Sequence, residues 1–494
     1  MVRTGAQYVE SLKDGRQVYI NGSKVDDVTT HPAFRNVVKT VAELYDIASD
    51  PANRGLMTYP SPATGEPVNK CFLMPFGYED LVARREAIKR WADATYGFLG
   101  RSPDHVASLL MGLAAGSDVL SESGPHFAEN AKSHYQYVRD NDLYVTYVII
   151  NPMIDRSKRP GEQAEPLLYA GIAGEDENGC VLRGCKMLGT ATVISNELFV
   201  GNIAPLSPGE EDYAISCCVP VNASGLKVYS RRSYEESASS VFDYPLSSRF
   251  DENDALVVFD NVHVPWDRVF CYRNVEANNR IFHATFAHIY INTQAHIRFW
   301  AKVQFLAGLA LKITETFGTH KLPSVLQDLG EIAAMVAAVE GIIRGSEANF
   351  RVLPSGAVIP DPKLMYGNMM FAQELYPKLV LILRRLCGGA LIQLPSSVKD
   401  FFEPAIREDI DKYLSASGAE AVERVKLMKL AWDALGSEFG SRHLQYEMFY
   451  SGAPHVTHGH AFRSFDFDQC KAKVEQCMSG YDLEGIRDRM RSRA

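Results

Sequence analysis

The first part of the chain carries a helical pattern of hydrophobic and polar positions. Apolar residues recur every three or four positions in 37–47 and 78–95, and charged residues take the opposite side. Thr4 stands where a helix N-cap is expected, and Gly124, followed by proline, interrupts a later apolar stretch. We therefore predict an N-terminal helical domain over residues 1–141.

The pattern changes at residue 142. Short runs of β-branched and aromatic residues alternate with Gly, Asn, Asp and Pro, which is typical of antiparallel strands joined by turns. Asp260 and Asn261 offer one such turn. We predict a middle antiparallel β domain, a barrel or sandwich, over residues 142–275. Its predicted strands are 143–150, 167–174, 179–188, 198–201, 214–221, 226–230 and 255–264.

Long helical segments follow the β region. Four segments repeat apolar positions with helical spacing over at least twenty residues each: 282–317, 324–350, 364–386 and 420–450. Helices of this length are typical of an up-down bundle. The segment 331–347 is small and apolar on more than one side, as in helices buried at the centre of a bundle or an oligomer. We predict a C-terminal four-helix bundle within residues 276–494, and an α+β fold that is mostly helical.

Composition and charge narrow the classes of function. The net charge is -9 and basic residues are scattered along the chain, so nucleic acid is not an expected partner. No apolar run reaches the length of a membrane span, and the N-terminus lacks the apolar core of a signal peptide. The nine cysteines form no Cys-x-x-Cys pair, which favours reduced structural thiols and a cytoplasmic protein.

The best candidate for chemistry is the turn 96–105, which lies between two helical segments. Its two glycines allow a tight bend, and the bend presents Arg101 and His105 four positions apart. Such a turn can aim polar groups into an apolar pocket, and we interpret it as the floor of an active site. The alternative is an ordinary helix-to-helix turn in which Asp104 caps the next helix.

The turn and four further blocks resemble one known family. The turn contains Phe-Leu-Gly-Arg-Ser-Pro-Asp at 98–104. The other blocks stand in the same order as in the family, at 3–12, 184–192, 245–270 and 430–443. Together they resemble the reduced-flavin-dependent aromatic hydroxylases of the 4-hydroxyphenylacetate 3-monooxygenase (oxygenase component) family. The resemblance covers nearly the whole chain.

That resemblance implies an acyl-CoA dehydrogenase-like fold, with the same order of helical domain, β domain and four-helix bundle. It also implies the oxygenase component of a two-component flavin-dependent monooxygenase. Such an enzyme receives reduced FAD from a separate reductase, and the C4a-hydroperoxide that forms with O2 passes oxygen to a phenolic ring. The family's members are tetramers, so a homotetramer is expected. No Gly-x-Gly-x-x-Gly fingerprint occurs, so a Rossmann domain that holds the flavin tightly is not expected.

The same resemblance assigns residues to FAD. The flavin edge needs hydrogen-bond partners and the diphosphate needs a groove. Three parts of the sequence can supply the partners and the groove: threonines expected on a strand, a segment that follows a strand, and a turn near residue 441. The cofactor-binding residues implied in this way are Tyr147, Asn151, Asp155, Arg156, Thr190, Thr192, Gly440, Ser441, Arg442, Gly452 and Pro454.

For catalysis, the resemblance implies that Arg101 holds the phenolate, because a fixed positive charge lowers the pKa of a nearby phenol. The family carries histidine where this chain has Tyr147, and commonly tyrosine where it has His105, so the two residue types are exchanged here. Transfer of the phenolic proton falls to His105 or to a histidine of the bundle. His288 and His296 are both candidates for the bundle histidine.

Two other functions are alternatives to this one. The fold also resembles 4-hydroxybutyryl-CoA dehydratase, whose iron-sulfur cluster needs cysteine ligands. No cysteine occurs at 72–179 or at 272–386, so the cluster has no ligands there. A flavin-binding protein without catalysis is disfavoured by Arg101.

A metal site is not expected. His455, His458 and His460 lie in a segment that contains Gly and Pro and is interpreted as a loop, with no cysteine or carboxylate ligand nearby. The residues leave open which phenol is the substrate, whether hydroxylation is ortho or para, and whether a halide or nitro group is expelled.

Overall fold

The computed structural model describes residues 2–493, and its N-terminal part is helical as predicted. The Thr4 side chain accepts a hydrogen bond from the Gln7 backbone, and the Gln7 side chain accepts one of 2.8 Å from the Thr4 backbone, which completes a capping box. Gly124, at φ 141°, breaks the helical stretch where predicted. The helices are α1 (Gly5–Ser11), α2 (Arg35–Ser49), α3 (Arg54–Met57), α4 (Tyr78–Ala94), α5 (Asp104–Ala115) and α6 (Pro125–Asp140).

Two sheets make up the middle of the chain. The strands are β1 (Gln17–Ile20), β2 (Ser23–Val25), β3 (Thr58–Pro60), β4 (Pro67–Asn69), β5 (Val145–Val148), β6 (Gly171–Glu175), β7 (Gly179–Lys186), β8 (Glu197–Val200), β9 (Ile215–Pro220), β10 (Leu226–Ser230), β11 (Ala255–Pro265) and β12 (Val269–Tyr272). One sheet has the order β2-β1-β10-β11-β7-β6 and the other β12-β9-β8-β5, while β3 and β4 form a separate hairpin. Every strand predicted between residues 142 and 275 has a counterpart.

The sheets also correct the prediction. Strands β1 and β2 come from the part of the chain assigned to the helical domain, because strands this short give too few positions for a period to show. The pairs β1–β10 and β5–β8 are parallel, so the sheets are mixed. Asp260 and Asn261 form no turn between strands. They lie within β11 at an irregularity where the pairing with β7 shifts, with Asn261 at φ 56°.

The C-terminal part contains the predicted bundle. Its helices are α8 (Val275–Ala284), α9 (Ala287–Thr316), α10 (Pro323–Ala348), α11 (Pro362–Cys387), α12 (Pro404–Tyr413), α13 (Ala421–Leu435), α14 (Glu438–Phe449), α15 (Pro454–Ser464), α16 (Phe467–Ser479) and α17 (Leu483–Arg491). A short helix α7 (Ser247–Phe250) between β10 and β11 and a two-stranded hairpin (Arg351–Val352, Val358–Ile359) complete the fold. The predicted order of helical domain, β domain and helical bundle is confirmed, and the boundaries at 141 and 275 stay a prediction.

Two of the four long segments are each split into two helices. Phe286, in the left-handed region at φ 59°, separates α8 from α9. Gly436 and Ser437 separate α13 from α14, and the Ser437 side chain caps α14 by accepting a hydrogen bond of 3.0 Å from the Gly440 backbone. Residues 440–442 therefore lie in the first turns of a helix, not in the turn that the sequence suggested. His455, His458 and His460 likewise lie on α15 instead of in a loop.

The turn before α5 joins two hydrophobic cores. Phe98 packs in the core of the bundle, with α9, α11 and α13. Leu99, the next residue, packs in the core shared by the N-terminal helices and both sheets. Arg101 therefore follows a segment that is anchored on both sides.

The described residues include no helix that is both long enough and apolar enough to cross a membrane. All nine cysteines are free thiols, and only Cys470 and Cys477 are exposed.

Gly97 gives a test of how tightly this turn is held. It adopts φ 71°, and a Cβ there would lie 2.6 Å from the Arg298 carbonyl oxygen and from the Lys302 backbone nitrogen on α9. Gly97→Ala is expected to lower the melting temperature strongly, since it combines left-handed strain of about 1 kcal/mol with a clash against helix backbone. Gly65→Ala is the matched control, because Gly65 has φ 73° and open space around it. An equal decrease of the melting temperature in the two variants would contradict the tight packing of the turn on α9.

Candidate active site

Three elements hold the turn that carries Arg101. The Arg101 backbone N–H donates to the Glu252 carboxylate at 2.7 Å, and the Tyr144 hydroxyl donates to the Arg101 carbonyl. The buried Asp104 side chain accepts hydrogen bonds from Ser102 Oγ at 2.5 Å and from Gln294 Nε2 at 2.9 Å. It caps no helix N-terminus, since Pro103 stands at the N-cap position and makes no side-chain hydrogen bond there. The capping alternative is therefore wrong, and Asp104 instead ties the turn to α9.

The Arg101 guanidinium is a buried cation whose side-chain partners are neutral groups. Its Nη1 lies 2.9 Å from His105 Nε2, and its Nη2 donates to the Tyr147 hydroxyl at 2.9 Å. Among residues 2–493, no carboxylate lies within ion-pair distance of its nitrogens. Burial alone would lower the pKa of Arg101, but nearby tyrosines and Glu252 raise it above its ordinary value. The charge is permanent, and among the described residues no carboxylate hydrogen-bonds to the guanidinium itself.

His105 and Tyr147 meet at this guanidinium. Their rings are 5.3 Å apart and both hydrogen-bond to Arg101. The structure thus brings together the two positions at which the resemblance implies an exchange of residue types. Burial, and then the charge of Arg101, hold the pKa of His105 well below its ordinary value. His105 is therefore neutral, and because Arg101 is always a donor, its Nε2 carries the lone pair.

Two tyrosines that the sequence interpretation missed complete the surroundings of Arg101. Tyr446 and Tyr450 project from α14 and from the residue after it, with ring centroids 5.5 and 4.5 Å from the guanidinium carbon. The Tyr450 hydroxyl lies 2.7 Å from His105 Nε2. Their spacing of four residues on a helix was the available signal, since it places both rings on one face. Nothing in the local sequence indicates which face that is.

The two bundle histidines do not reach Arg101. His288 packs against His283, His460 and Tyr366, with its Nδ1 3.3 Å from the Tyr366 hydroxyl. His296 is buried without a hydrogen-bond partner for either ring nitrogen, and burial lowers its pKa to about 3.

Helix geometry explains the position of His296. Arg298, two residues further along α9, faces the turn and donates to the Gly97 carbonyl at 3.3 Å. Residues two apart project about 200° from each other around a helix, so His296 points away from the turn. Of the three candidate histidines, only His105 contacts Arg101 among the described residues.

Two of the proposed flavin segments, after β5 and after β7, lie next to each other and to the chain near residue 203. Ile150 forms a bridge with Met187, and the Ile203 backbone donates to the Ile149 carbonyl at 3.4 Å, so three stretches of chain lie side by side. They expose four large apolar side chains, with exposed fractions between 37% and 58%: Met153, Ile154, Leu188 and Ile203. An exposed apolar face beside polar side chains fits the isoalloxazine ring of a flavin, which is apolar on its faces and polar at its edge. The sequence interpretation did not identify these apolar residues.

The polar residues predicted for the flavin differ in their surroundings. Thr190 and Thr192 follow β7 instead of lying on it. Thr190 Oγ1 donates to Asp254 at 2.6 Å, whereas Thr192 Oγ1 is buried without a partner. Asn151 accepts a hydrogen bond of 2.8 Å from the buried Lys186, whose pKa is lowered by burial to about 7.

The remaining members lie at the surface or at helix ends. Asp155 accepts from the Ser157 hydroxyl at 2.6 Å, and Arg156 is exposed. Ser441 is also exposed, on α14. Gly452, at φ 108°, and Pro454 form the junction between α14 and α15, next to Tyr450.

Arg442 is engaged with protein carboxylates. Its Nη1 donates to Glu252 at 2.8 Å, while its Nε and Nη2 donate to Asp254 at 3.0 and 2.7 Å. Glu252 is the same carboxylate that holds the Arg101 backbone, and Asp254 is the one that holds Thr190. Burial alone would raise the pKa of Asp254, but Arg442 and Arg231 hold it well below its ordinary value. Arg442 therefore fixes the relative positions of Arg101 and Thr190.

One group of side chains within the described residues has metal-ligand spacing. His134, Glu197 and Cys218 are buried, and their ligand atoms lie within 4.8 Å of one another. Glu197 already pairs with His134 at 3.0 Å and with Arg268 at 2.8 Å. The arrangement is explained as a buried ion-pair group, and the cationic Arg268 beside it disfavours a metal ion.

Sequence comparison places the chain in a family. The family model "4-hydroxyphenylacetate 3-hydroxylase N terminal" matches residues 4–271, and the model for the C terminal part matches residues 278–479. The chain belongs to the 4-hydroxyphenylacetate 3-hydroxylase family. The family predicted from the motifs is thus confirmed.

Members of the 4-hydroxyphenylacetate 3-hydroxylase family are similar to this chain over nearly its full length. It is 37% identical to the oxygenase component of 4-nitrophenol 2-monooxygenase from Rhodococcus sp., over 98% of this chain and 93% of that one. It is 34% identical to the oxygenase component of 4-hydroxyphenylacetate 3-monooxygenase from Geobacillus sp., over 97% of both chains. A solved structure of a 4-hydroxyphenylacetate 3-monooxygenase oxygenase component in complex with FAD and 4-hydroxyphenylacetate matches with a TM-score of 0.92 at 35% identity, covering 97% of this chain and 98% of that chain.

The buried ion pairs of Arg442 with Glu252 and Asp254 form a clamp, which can be tested against an exposed ion pair on the same helix. Glu252→Gln removes the charge that pairs with Arg442 at a residue only 1% exposed. Breaking a buried pair from one side costs about 3 to 5 kcal/mol, so we expect a clear loss of unfolding free energy in urea. Glu438→Gln is the matched control, because it breaks an exposed pair between α14 and Arg232 and should change stability little. Similar stabilities for the two variants would show that the clamp does not hold the domains together.

Proposed function

We propose that this chain is the oxygenase component of a two-component monooxygenase, which uses reduced FAD and O2 to hydroxylate a phenolic compound. One observation carries the proposal: Arg101 is a buried cation, 8% exposed, with neutral side-chain partners in an aromatic box. A phenolate has the charge that this site lacks and the flat shape that an aromatic box accommodates. Family membership and the matching FAD complex support the cofactor.

The chain's own residues account for the activation of the phenol. Arg101 stabilises the phenolate over the phenol, and this raises the electron density of the ring. His105 is neutral, so its Nε2 can accept the phenolic proton. Tyr147, Tyr446 and Tyr450 surround Arg101 and limit the access of water. Reduced FAD together with O2 supplies the electrophilic oxygen for the ring.

We assign FAD to the apolar face of the β domain. In this assignment Thr190, Thr192 and Asn151 contact the edge of the flavin ring, and the buried Thr192 hydroxyl, which has no hydrogen-bond partner, supports the contact. Asp155, Arg156, Ser441, Gly452 and Pro454 remain proposed contacts for the rest of the cofactor. Gly440 has a packing role as well, since a Cβ there would lie 2.8 Å from the Ala434 backbone on α13. Arg442 acts in this proposal by positioning Thr190 through Asp254.

Partners follow from the same proposal. A separate flavin reductase delivers reduced FAD by diffusion, and the nine free thiols are consistent with the cytoplasm. A homotetramer is supported by exposed small residues on α10, namely Ala333, Ala334, Ala337 and Gly341, and by exposed apolar residues on the C-terminal helices such as Phe462, Leu483 and Met490. Light scattering should return four times the chain mass of 54.9 kDa. An active monomer would contradict this assembly.

The two alternatives are less well supported. A solved 4-hydroxybutyryl-CoA dehydratase from N. maritimus matches with a TM-score of 0.89 but only 22% identity, covering 98% of this chain and 96% of that one, which shows the shared fold alone. The stretches 72–179 and 272–386 of this chain contain no cysteine for an iron-sulfur cluster. A non-catalytic flavin-binding protein would not need a buried cation enclosed by aromatic rings. Consumption of O2 with phenol hydroxylation separates it from the proposed enzyme.

Arg101→Ala tests the central residue. With reduced FAD supplied by a generic reductase, we expect phenol hydroxylation to fall by about 30- to 1000-fold, which corresponds to the loss of one charged contact of roughly 2 to 4 kcal/mol. Flavin oxidation should continue and release hydrogen peroxide, so product per reduced flavin falls. The control is Arg232→Ala, an exposed arginine of the β domain. An unchanged ratio of product to flavin in Arg101→Ala would remove Arg101 from the mechanism.

His105→Phe should show a pH-dependent defect. The pKa of His105 lies well below its ordinary value of 6.5, so the wild-type base stays unprotonated from pH 6 upward and gives no acid limb near pH 6.5. The variant should lose most activity near neutrality and recover as the pH approaches about 10, where phenols ionise unaided. Product per reduced flavin measured from pH 6 to 10 for both proteins decides this. A defect that is constant across this range would mean that His105 is not the base.

A further inference from the structure

Hydrogen-bond donors outnumber acceptors around Arg101. Arg101 Nη1 and the Tyr450 hydroxyl both approach His105 Nε2, at 2.9 and 2.7 Å. A neutral imidazole nitrogen has one lone pair, so it cannot accept both hydrogen bonds in full. The Tyr147 hydroxyl already accepts from Arg101 Nη2 at 2.9 Å, and its own proton has no acceptor among the described residues. The site therefore has one or two hydrogen-bond donors that lack a full acceptor.

An anionic oxygen would correct this imbalance. A phenolate oxygen offers lone pairs to several donors at once, and hydrogen bonds to a charged oxygen are stronger than those between neutral groups. Arg101 comes from the N-terminal domain and Tyr147 from β5, while Tyr450 follows α14 of the bundle. Each of the three domains thus directs one donor to the same place.

The position of Tyr450 is fixed by the helix that precedes it. Glu447, one turn before it, is buried and bonded to Lys302 at 2.6 Å and to both terminal nitrogens of Arg298. Arg442, two turns before it, is held by Glu252 and Asp254. These two buried ion-pair groups hold the helix from whose end Tyr450 projects.

We infer that Tyr450 is a substrate-binding residue, which donates a hydrogen bond to the phenolate oxygen beside Arg101 and Tyr147. The inference rests on the proposed function, since it names a further contact to the same substrate. A phenol that enters between Arg101 and Tyr450 transfers its proton to the lone pair of His105 Nε2, and the phenolate oxygen that results accepts the hydrogen bonds of Arg101 and of the Tyr450 hydroxyl in place of that nitrogen. The site should consequently select ionisable phenols over aryl ethers of the same shape.

The experiment is equilibrium binding of 4-nitrophenol, which ionises near neutral pH and reports its ionisation by visible absorbance. Wild type and Tyr450→Phe are titrated with 4-nitrophenol and with 4-nitroanisole, its methyl ether, in the presence of FAD. Tyr450→Phe should bind 4-nitrophenolate about ten-fold or more weakly, as expected for a lost hydrogen bond to a charged group, and 4-nitroanisole with unchanged affinity. Melting temperatures verify that the variant is folded.

The control is Tyr376→Phe, which deletes a buried hydroxyl without a hydrogen-bond partner elsewhere in the bundle and should leave both affinities unchanged. Equal binding of 4-nitrophenolate by wild type and Tyr450→Phe would overturn the inference and leave the proposed function standing. Tighter binding by the variant would also overturn it, because Tyr450 would then be a competitor of the substrate. If wild type binds neither compound, the proposed phenol site itself fails, and the inference fails with it.

Discussion

The candidate site depends on the pairing of Arg442 with Glu252 and Asp254. Glu252 also accepts the Arg101 backbone N–H, and Asp254 also accepts the Thr190 hydroxyl. One arginine on a bundle helix thereby sets the distance between the residue proposed to hold the substrate and the face proposed to hold the flavin. Buried ion pairs add little net stability but lose much when one partner is removed. Their value here is geometric, because oxygen transfer needs ring and cofactor at a fixed separation.

Charge is distributed unevenly around this clamp. Arg442 and Arg298 have carboxylate partners, whereas the Arg101 guanidinium is surrounded by His105 and three tyrosines. Burying a cation without a counter-ion is destabilising, and such cations occur at sites where a ligand brings the negative charge. Burial and the same cation hold the pKa of His105 well below its ordinary value, so a fixed charge and a neutral base stand side by side. Removing the proton of a phenol and holding the phenolate require this combination.

Positions 105 and 147, where the family resemblance implies an exchange of histidine and tyrosine, lie side by side at Arg101. The two side chains belong to α5 and β5, yet both hydrogen-bond to Arg101 and their rings are 5.3 Å apart. Either residue can therefore supply the imidazole, provided that the other supplies the hydroxyl. In this chain the imidazole comes from the same short segment as the arginine.

The sequence by itself determined the order of the three parts, the family and the turn that carries Arg101, because helical period, strand alternation and glycine placement are local properties. It did not determine where helices break within a long apolar pattern, so residues 440–442 and the histidines of α15 were assigned to turns and loops. Only the tertiary structure decided that Tyr450 reaches His105, that His296 faces away from the turn, and that Arg442 binds carboxylates. These are contacts between elements far apart in the chain, and the direction of a helix face depends on packing that no local pattern encodes.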